Sequence, residues 1–249
     1  YPELMSTGAS TADYDDDGDP DLFLTVQFDD NRLLRNDGDC QFTDVTGAAG
    51  ITSPWRSLHS YWIDIERDGD LDLYIANWAD PLPEGSDGRP DAHPDQLWVN
   101  VGDGTFEERS ELLPAATRES FAMTGAFLDF DNDGDYDLFQ VNDRGAFIVP
   151  NRLYRNDAEA GELPVFIDVS EQQGFDAAPD GMGLTVGDQR VDDPAAILDH
   201  DVTFDLDLVG LGVDLDQAHM ACRCRRAKER IVHLRRFEII DLVAHFLWH

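Results

Sequence analysis

The stretches DYDDDGDPDLFLTV (13–26), DIERDGDLDLYIAN (64–77) and DFDNDGDYDLFQVN (129–142) superimpose without a gap. Each has an acid at positions 1, 3, 5, 7 and 9, glycine at 6 and leucine at 10, and each runs into an apolar, β-prone exit. Six of the ten residues from 13 to 22 are aspartate, a density that by self-repulsion would hold an isolated segment open. Recurrence in register turns that acidity into a pattern, and the pattern organises the surrounding chain.

A second element follows each loop: NRLLRNDGDCQFTDV (31–45), DQLWVNVGDGTFEER (95–109) and NRLYRNDAEAGELPVFIDV (151–169). In each, a short apolar strand meets a turn rich in Asn, Asp or Gly, and a further strand carries Phe42, Phe106 or Phe166, which is a hairpin signature. Apolar or small-residue stretches also precede the loops, as in FAMTGAFL (121–128) and GMGLTVG (181–187). One unit therefore reads strand, acidic loop, strand, linker, strand, turn, strand. A lone four-stranded sheet cannot bury both faces, so units of this kind stack as blades. The expected fold is all-β: a partial β-propeller of three four-stranded antiparallel blades over residues 1–188, with the start of a fourth at Asp188. The uneven spacing comes from WADPLPEGSDGRPDAHP (78–94), a Pro- and Gly-rich insertion expected on an exposed rim.

At Asp188 the pattern fails, since DQRVDDPAAILDH (188–200) has neither glycine at 6 nor leucine at 10. Residues 189–249 are atypical and hold 8 of the 18 basic residues and 5 of the 7 histidines. TFDLDLVGLGVDLD (203–216) alternates like a strand, while Ile231, Leu234, Ile240, Val243 and Leu247 recur at helical spacing. This tail reads either as sequence translated out of frame or as a small appended helical element.

Alternating carboxylates around a turn are the donor set of a hard cation. Calcium takes about six to eight oxygen ligands at about 2.3–2.6 Å. The spacing assigns positions 1, 3 and 5 as side-chain ligands: Asp13, Asp15 and Asp17; Asp64, Glu66 and Asp68; Asp129, Asp131 and Asp133. Glycine at 6 (Gly18, Gly69, Gly134) permits the turn. Position 7 (Asp19, Asp70, Asp135) offers a backbone carbonyl, and position 9 (Asp21, Asp72, Asp137) closes the shell. Three Ca2+ ions are expected, one per loop. Loop two is the weakest, because Glu66 is longer than aspartate and Arg67 brings a positive charge. An EF-hand is disfavoured: position 12 is Leu24, Ile75 or Gln140 where a bidentate Glu is required. Magnesium, which demands near-ideal octahedral geometry, is disfavoured too.

These loops, the GMGLTVGD type of strand and the NRLYRND segment resemble the FG-GAP or VCBS-type repeats of integrin-like β-propellers. The likeness is greatest to the cartilage acidic protein, or ASPIC/UnbV-type, family, and it covers about residues 1–188. It implies a ring of more blades than are visible here and a C-terminal domain with no counterpart in residues 189–249. It also implies an extracellular, periplasmic or cell-surface scaffold that binds protein or glycan.

The remaining composition sets limits. With 52 acidic residues against 18 basic ones the formal charge is −34, which repels nucleic acid and anionic lipid and attracts cations. No run of about 18 apolar residues exists, so no membrane insertion is expected. Tyr1 opens the chain without the features of a signal peptide, which reads as a mature or truncated piece. Cys40, Cys222 and Cys224 are too few for a disulfide scaffold and lack zinc spacing. A non-catalytic role is expected. The competing reading, a propeller hydrolase or lyase with an acidic site, would need free carboxylates facing one another or grouped around His59 or His93. Trp55, Trp62, Trp78 and Trp98 are expected to pack between blades.

Overall fold

In the computed structural model the unit read from the sequence recurs three times among the described residues, which are 5–27, 29–80, 90–143, 149–174 and 184. The first unit comprises β1 (Ser6–Ala12), β2 (Asp21–Val26), β3 (Arg32–Asn36) and β4 (Phe42–Asp44). The second holds β5 (Ser57–Ile63), β6 (Asp72–Asn77), β7 (Gln96–Asn100) and β8 (Phe106–Glu108), and the third β9 (Ala122–Leu128), β10 (Asp137–Asn142), β11 (Arg152–Asn156) and β12 (Phe166–Asp168). Each forms its own antiparallel four-stranded sheet in chain order. The register repeats as well: Leu22 opposes Leu34, Leu73 opposes Trp98 and Leu138 opposes Tyr154.

The second strand of each unit reads as a nearly unbroken apolar run because both of its faces are covered, as in other fully buried strands. In β6 successive side chains alternate between two neighbours. Leu73 and Ile75 join Tyr14, Phe23, Leu33 and Trp98 between the first and second sheets. Tyr74 and Ala76 join Phe127, Leu138 and Tyr154 between the second and third. Leu73, Tyr74 and Ile75 are each fully buried, which contributes about 1.5–3 kcal/mol for a side chain of that size. Trp62 sits where the sequence placed it, against Tyr14, Phe23 and Phe106 between two sheets.

The first strands of the three units lie side by side. Thr7 Oγ1 donates to Ser57 O at 2.6 Å, and the Ser10 and Ser60 hydroxyls are 2.7 Å apart. Close approach here requires small residues: a Cβ on Gly8 would lie 2.8 Å from Leu58 O, and one on Gly125 would lie 2.7 Å from the Tyr74 ring. The three sheets stack as partial-propeller blades.

Asp80 and Asp91 of the 78–94 insertion are exposed, as expected of a rim, and after Asp91 the chain turns inward. His93 and Asp95 are buried, the His93 amide donates to Trp78 O at 2.8 Å, and Ala79 bridges Ala92. Residues 81–89, the incomplete loop at Asp188 and the 189–249 tail lie outside the described residues. Among the described residues no helix is long and apolar enough to cross a membrane.

Candidate metal centres

The acidic loops are held by their own carboxylates and backbone amides. At position 1, Asp13 Oδ2 accepts from the Gly18 amide (2.9 Å), Asp64 from the Asp68 and Gly69 amides (3.0 and 3.1 Å), and Asp129 from those of Asp133 and Gly134 (3.1 and 3.2 Å). At position 5, Asp17, Asp68 and Asp133 each accept the amide two residues on, at 2.8, 3.0 and 3.1 Å. Glycine at 6 takes the expected positive φ, 89°, 107° and 96°. Position 4 is left-handed too, with φ of 57° at Asp16, 61° at Arg67 and 62° at Asn132. Asp and Asn tolerate that conformation, whereas a long side chain such as Arg67 is uncommon there.

Position 9 has a role that loop spacing alone did not reveal. Asp21, Asp72 and Asp137 are almost wholly buried, and both oxygens of each accept a backbone amide. One oxygen takes the amide of loop position 2: Tyr14 at 3.2 Å, Ile65 at 2.9 Å and Phe130 at 2.9 Å. The other takes the last amide of the third strand: Asn36 at 2.8 Å, Asn100 at 2.9 Å and Asn156 at 2.8 Å. Each aspartate thus ties loop entry, loop exit and the next hairpin together. The Asn that ends RN or VN in every repeat is the sequence signal of this latch.

Three carboxylates converge in two of the loops. Ligand atoms of Asp13, Asp15 and Asp21 lie within 4.8 Å of one another, and so do those of Asp129, Asp131 and Asp137. In loop one, Asp13 Oδ1 and Asp15 Oδ1 are shielded from solvent and have no hydrogen-bond partner. Burial, then the field of Asp17, pushes the Asp15 carboxyl up, and burial carries Asp21 and Asp137 to about 6. Asp131 is raised by burial and next by Asp133. An all-oxygen set with orphaned, charge-crowded acceptors fits a hard divalent cation.

Loop two differs. Its Asp64, Glu66 and Asp72 do not form such a group among the described residues. Glu66 Oε2 is shielded from solvent without a hydrogen-bond partner, and burial, then the field of Glu66, pushes Asp72 up to about 8. Arg67, expected beside the ion, reaches away from it to the third unit, donating to Gly134 O at 2.7 Å and Ala158 O at 3.1 Å. Of the position-7 acids, Asp70 is raised by burial and then by Asp68 and Asp16, and Asp135 is carried to about 7 by burial and then by Asp133. The Asp19 amide, the third of that set, donates to Asp17.

Neither repeat-region histidine gathers acids into a cleft. A cavity of about 440 Å3 lies where loops one and two meet, lined by Tyr14, Asp15, Asp16, Asp70 and Asp103 among others, with no histidine on its wall. His59 lies half-buried on β5, its pKa lowered by burial. His93 is buried against Trp55, accepts the Arg56 amide at 3.2 Å and lies 3.4 Å from Asp80.

A family profile described as FG-GAP-like repeat matches residues 13–75, from the first acid of loop one to Ile75 in β6. Residues 13–75 are thus similar to an FG-GAP-like repeat. Human cartilage acidic protein 1 is 27% identical over 137 residues, which is 54% of this chain and 19% of that protein. Its mouse counterpart is 26% identical over the same length and shares. The chain therefore spans about a fifth of the length of the curated relatives it matches. An FG-GAP-like repeat, cartilage acidic protein relatives and three stacked sheets together support an integrin-like propeller scaffold.

Proposed function

We propose that the chain is a calcium-stabilised, non-catalytic part of an extracellular or cell-surface propeller that contacts protein or glycan through its loops. The observation carrying this reading is the converging triad of loop one, whose Asp13 and Asp15 each leave a buried oxygen without a partner. Asp13, Asp15 and Asp21 would hold one ion and Asp129, Asp131 and Asp137 another. Calcium would supply positive charge and oxygen coordination there, not a reaction step. The relatives are named cartilage acidic protein, and this chain is strongly acidic as well. The hydrolase or lyase reading draws no support from His59 or His93, which do not line the cavity beside the loops.

Because a ligand bound only by the native state stabilises it in proportion to ln(1 + [L]/Kd), calcium at 100 times its Kd adds about 2.7 kcal/mol per site. Calorimetry with calcium and with excess chelator tests this. A substantial fall in melting temperature on chelation is expected, and superimposable melting curves would overturn the reading.

A further inference from the structure

We infer that Arg67, which belongs to loop two, is a positioning residue for the cation site of loop three in the neighbouring sheet. The inference rests on the calcium reading above and adds to it a residue that loop spacing assigned to another site.

The contacts are specific. Arg67 donates from Nη1 to Gly134 O and from Nη2 to Ala158 O, and the Gly161 amide returns a hydrogen bond to Glu66 O at 2.8 Å. Loop two is thereby clipped both to loop three and to the turn joining β11 and β12. The Gly134 carbonyl belongs to the same peptide unit as the Asp135 amide, which donates to Asp133 Oδ1 at 3.1 Å. On the other side of Gly134, its own amide donates to Asp129 Oδ2. Fixing the Gly134 carbonyl therefore steadies the Gly134 amide that aims Asp129 of the converging triad, and with it the peptide whose amide meets Asp133, which stands outside that triad. Hydrogen bonds of this outer kind orient metal ligands and typically alter affinity about 10–100-fold when removed.

Two comparisons within the molecule support the role. Arg67 holds φ at 61°, a strained conformation for arginine, in a place where the other loops use Asp16 and Asn132. Between the first and second sheets the corresponding residue, Asp16, is an acceptor when ionised and cannot make such a clip; it lines the same cavity as Asp70.

The test is a calcium titration of the full chain followed by amide NMR, with Gly18 reporting on loop one and Gly134 on loop three. R67A and R67K are compared with the unsubstituted chain. Both variants are expected to weaken the Gly134 midpoint about tenfold and to leave the Gly18 midpoint unchanged, because lysine keeps the charge and loses the two-pronged geometry. The inference is overturned if R67K behaves as the parent while R67A binds more tightly, which is the result of charge alone. It is overturned equally if the Gly134 midpoint does not move, or if both midpoints move together. A parent chain whose Gly18 and Gly134 amides both ignore calcium would sink the calcium reading itself, a result distinct from these.

Discussion

Asp95 shows how one substitution within a repeat alters its physics. Asn31, Asp95 and Asn151 stand at equivalent positions, just ahead of the third strand, and each accepts an amide at the end of the second strand: Val26, Asn77 and Asn142, all at 2.8 Å. Only the second unit places a carboxylate there. Asp95 is fully buried, accepts from the Tyr74 hydroxyl at 2.6 Å and from Gln140 Nε2 at 2.5 Å across the sheet interface, and is pushed by burial up to about 7. A folded-state pKa above the unfolded value means that the native state holds the proton more tightly. The stability this contributes is complete below about pH 4 and is lost as pH rises through about 7. At most about 4 kcal/mol is at stake. D95N should remove this dependence, so in matched calcium the stability of D95N relative to the parent should rise from pH 4 to pH 7 and level off above it. Parallel denaturant curves for the two proteins across that range would contradict the assignment.

At the scale of the element, the loop and the hairpin after it form one unit through the position-9 aspartate. D21A would strand the Tyr14 and Asn36 amides, and each buried donor left unpaired costs about 1–3 kcal/mol. A loss of about 2–6 kcal/mol is therefore expected even in chelator. D15N, which touches a converging acid outside that latch, should diminish only the calcium-dependent part of stability. Denaturant titrations of both variants with and without calcium separate the two roles. The acidic loops were legible in the sequence because ligand spacing and glycine position are local properties of about ten residues. The latch was not, since Asp21 and Asn36 are 15 residues apart and Asp72 and Asn100 are 28 apart.

Across the whole molecule, a formal charge of −34 makes neutralisation a condition of stability. The structure distributes that demand unevenly: among the described residues loops one and three converge their carboxylates, while loop two lends Arg67 to its neighbour. Isothermal titration should accordingly resolve two tighter calcium sites, with any third site at loop two weaker. D15N and D131N should each remove one tight site, and D64N should leave both. Three equal sites in the parent would contradict this ordering.

Sequence alone determined the repeat, the four-stranded unit, the glycine turns and the alternation of acids along each loop, because strand period and loop spacing act between near neighbours in the chain. Tertiary structure decided which of those acids converge, where Arg67 points and what Asp95 meets. Arg67 and Gly134 are 67 residues apart, and Asp95 and Gln140 are 45 apart. No local pattern encodes such pairs, since they exist only after one sheet has stacked on the next.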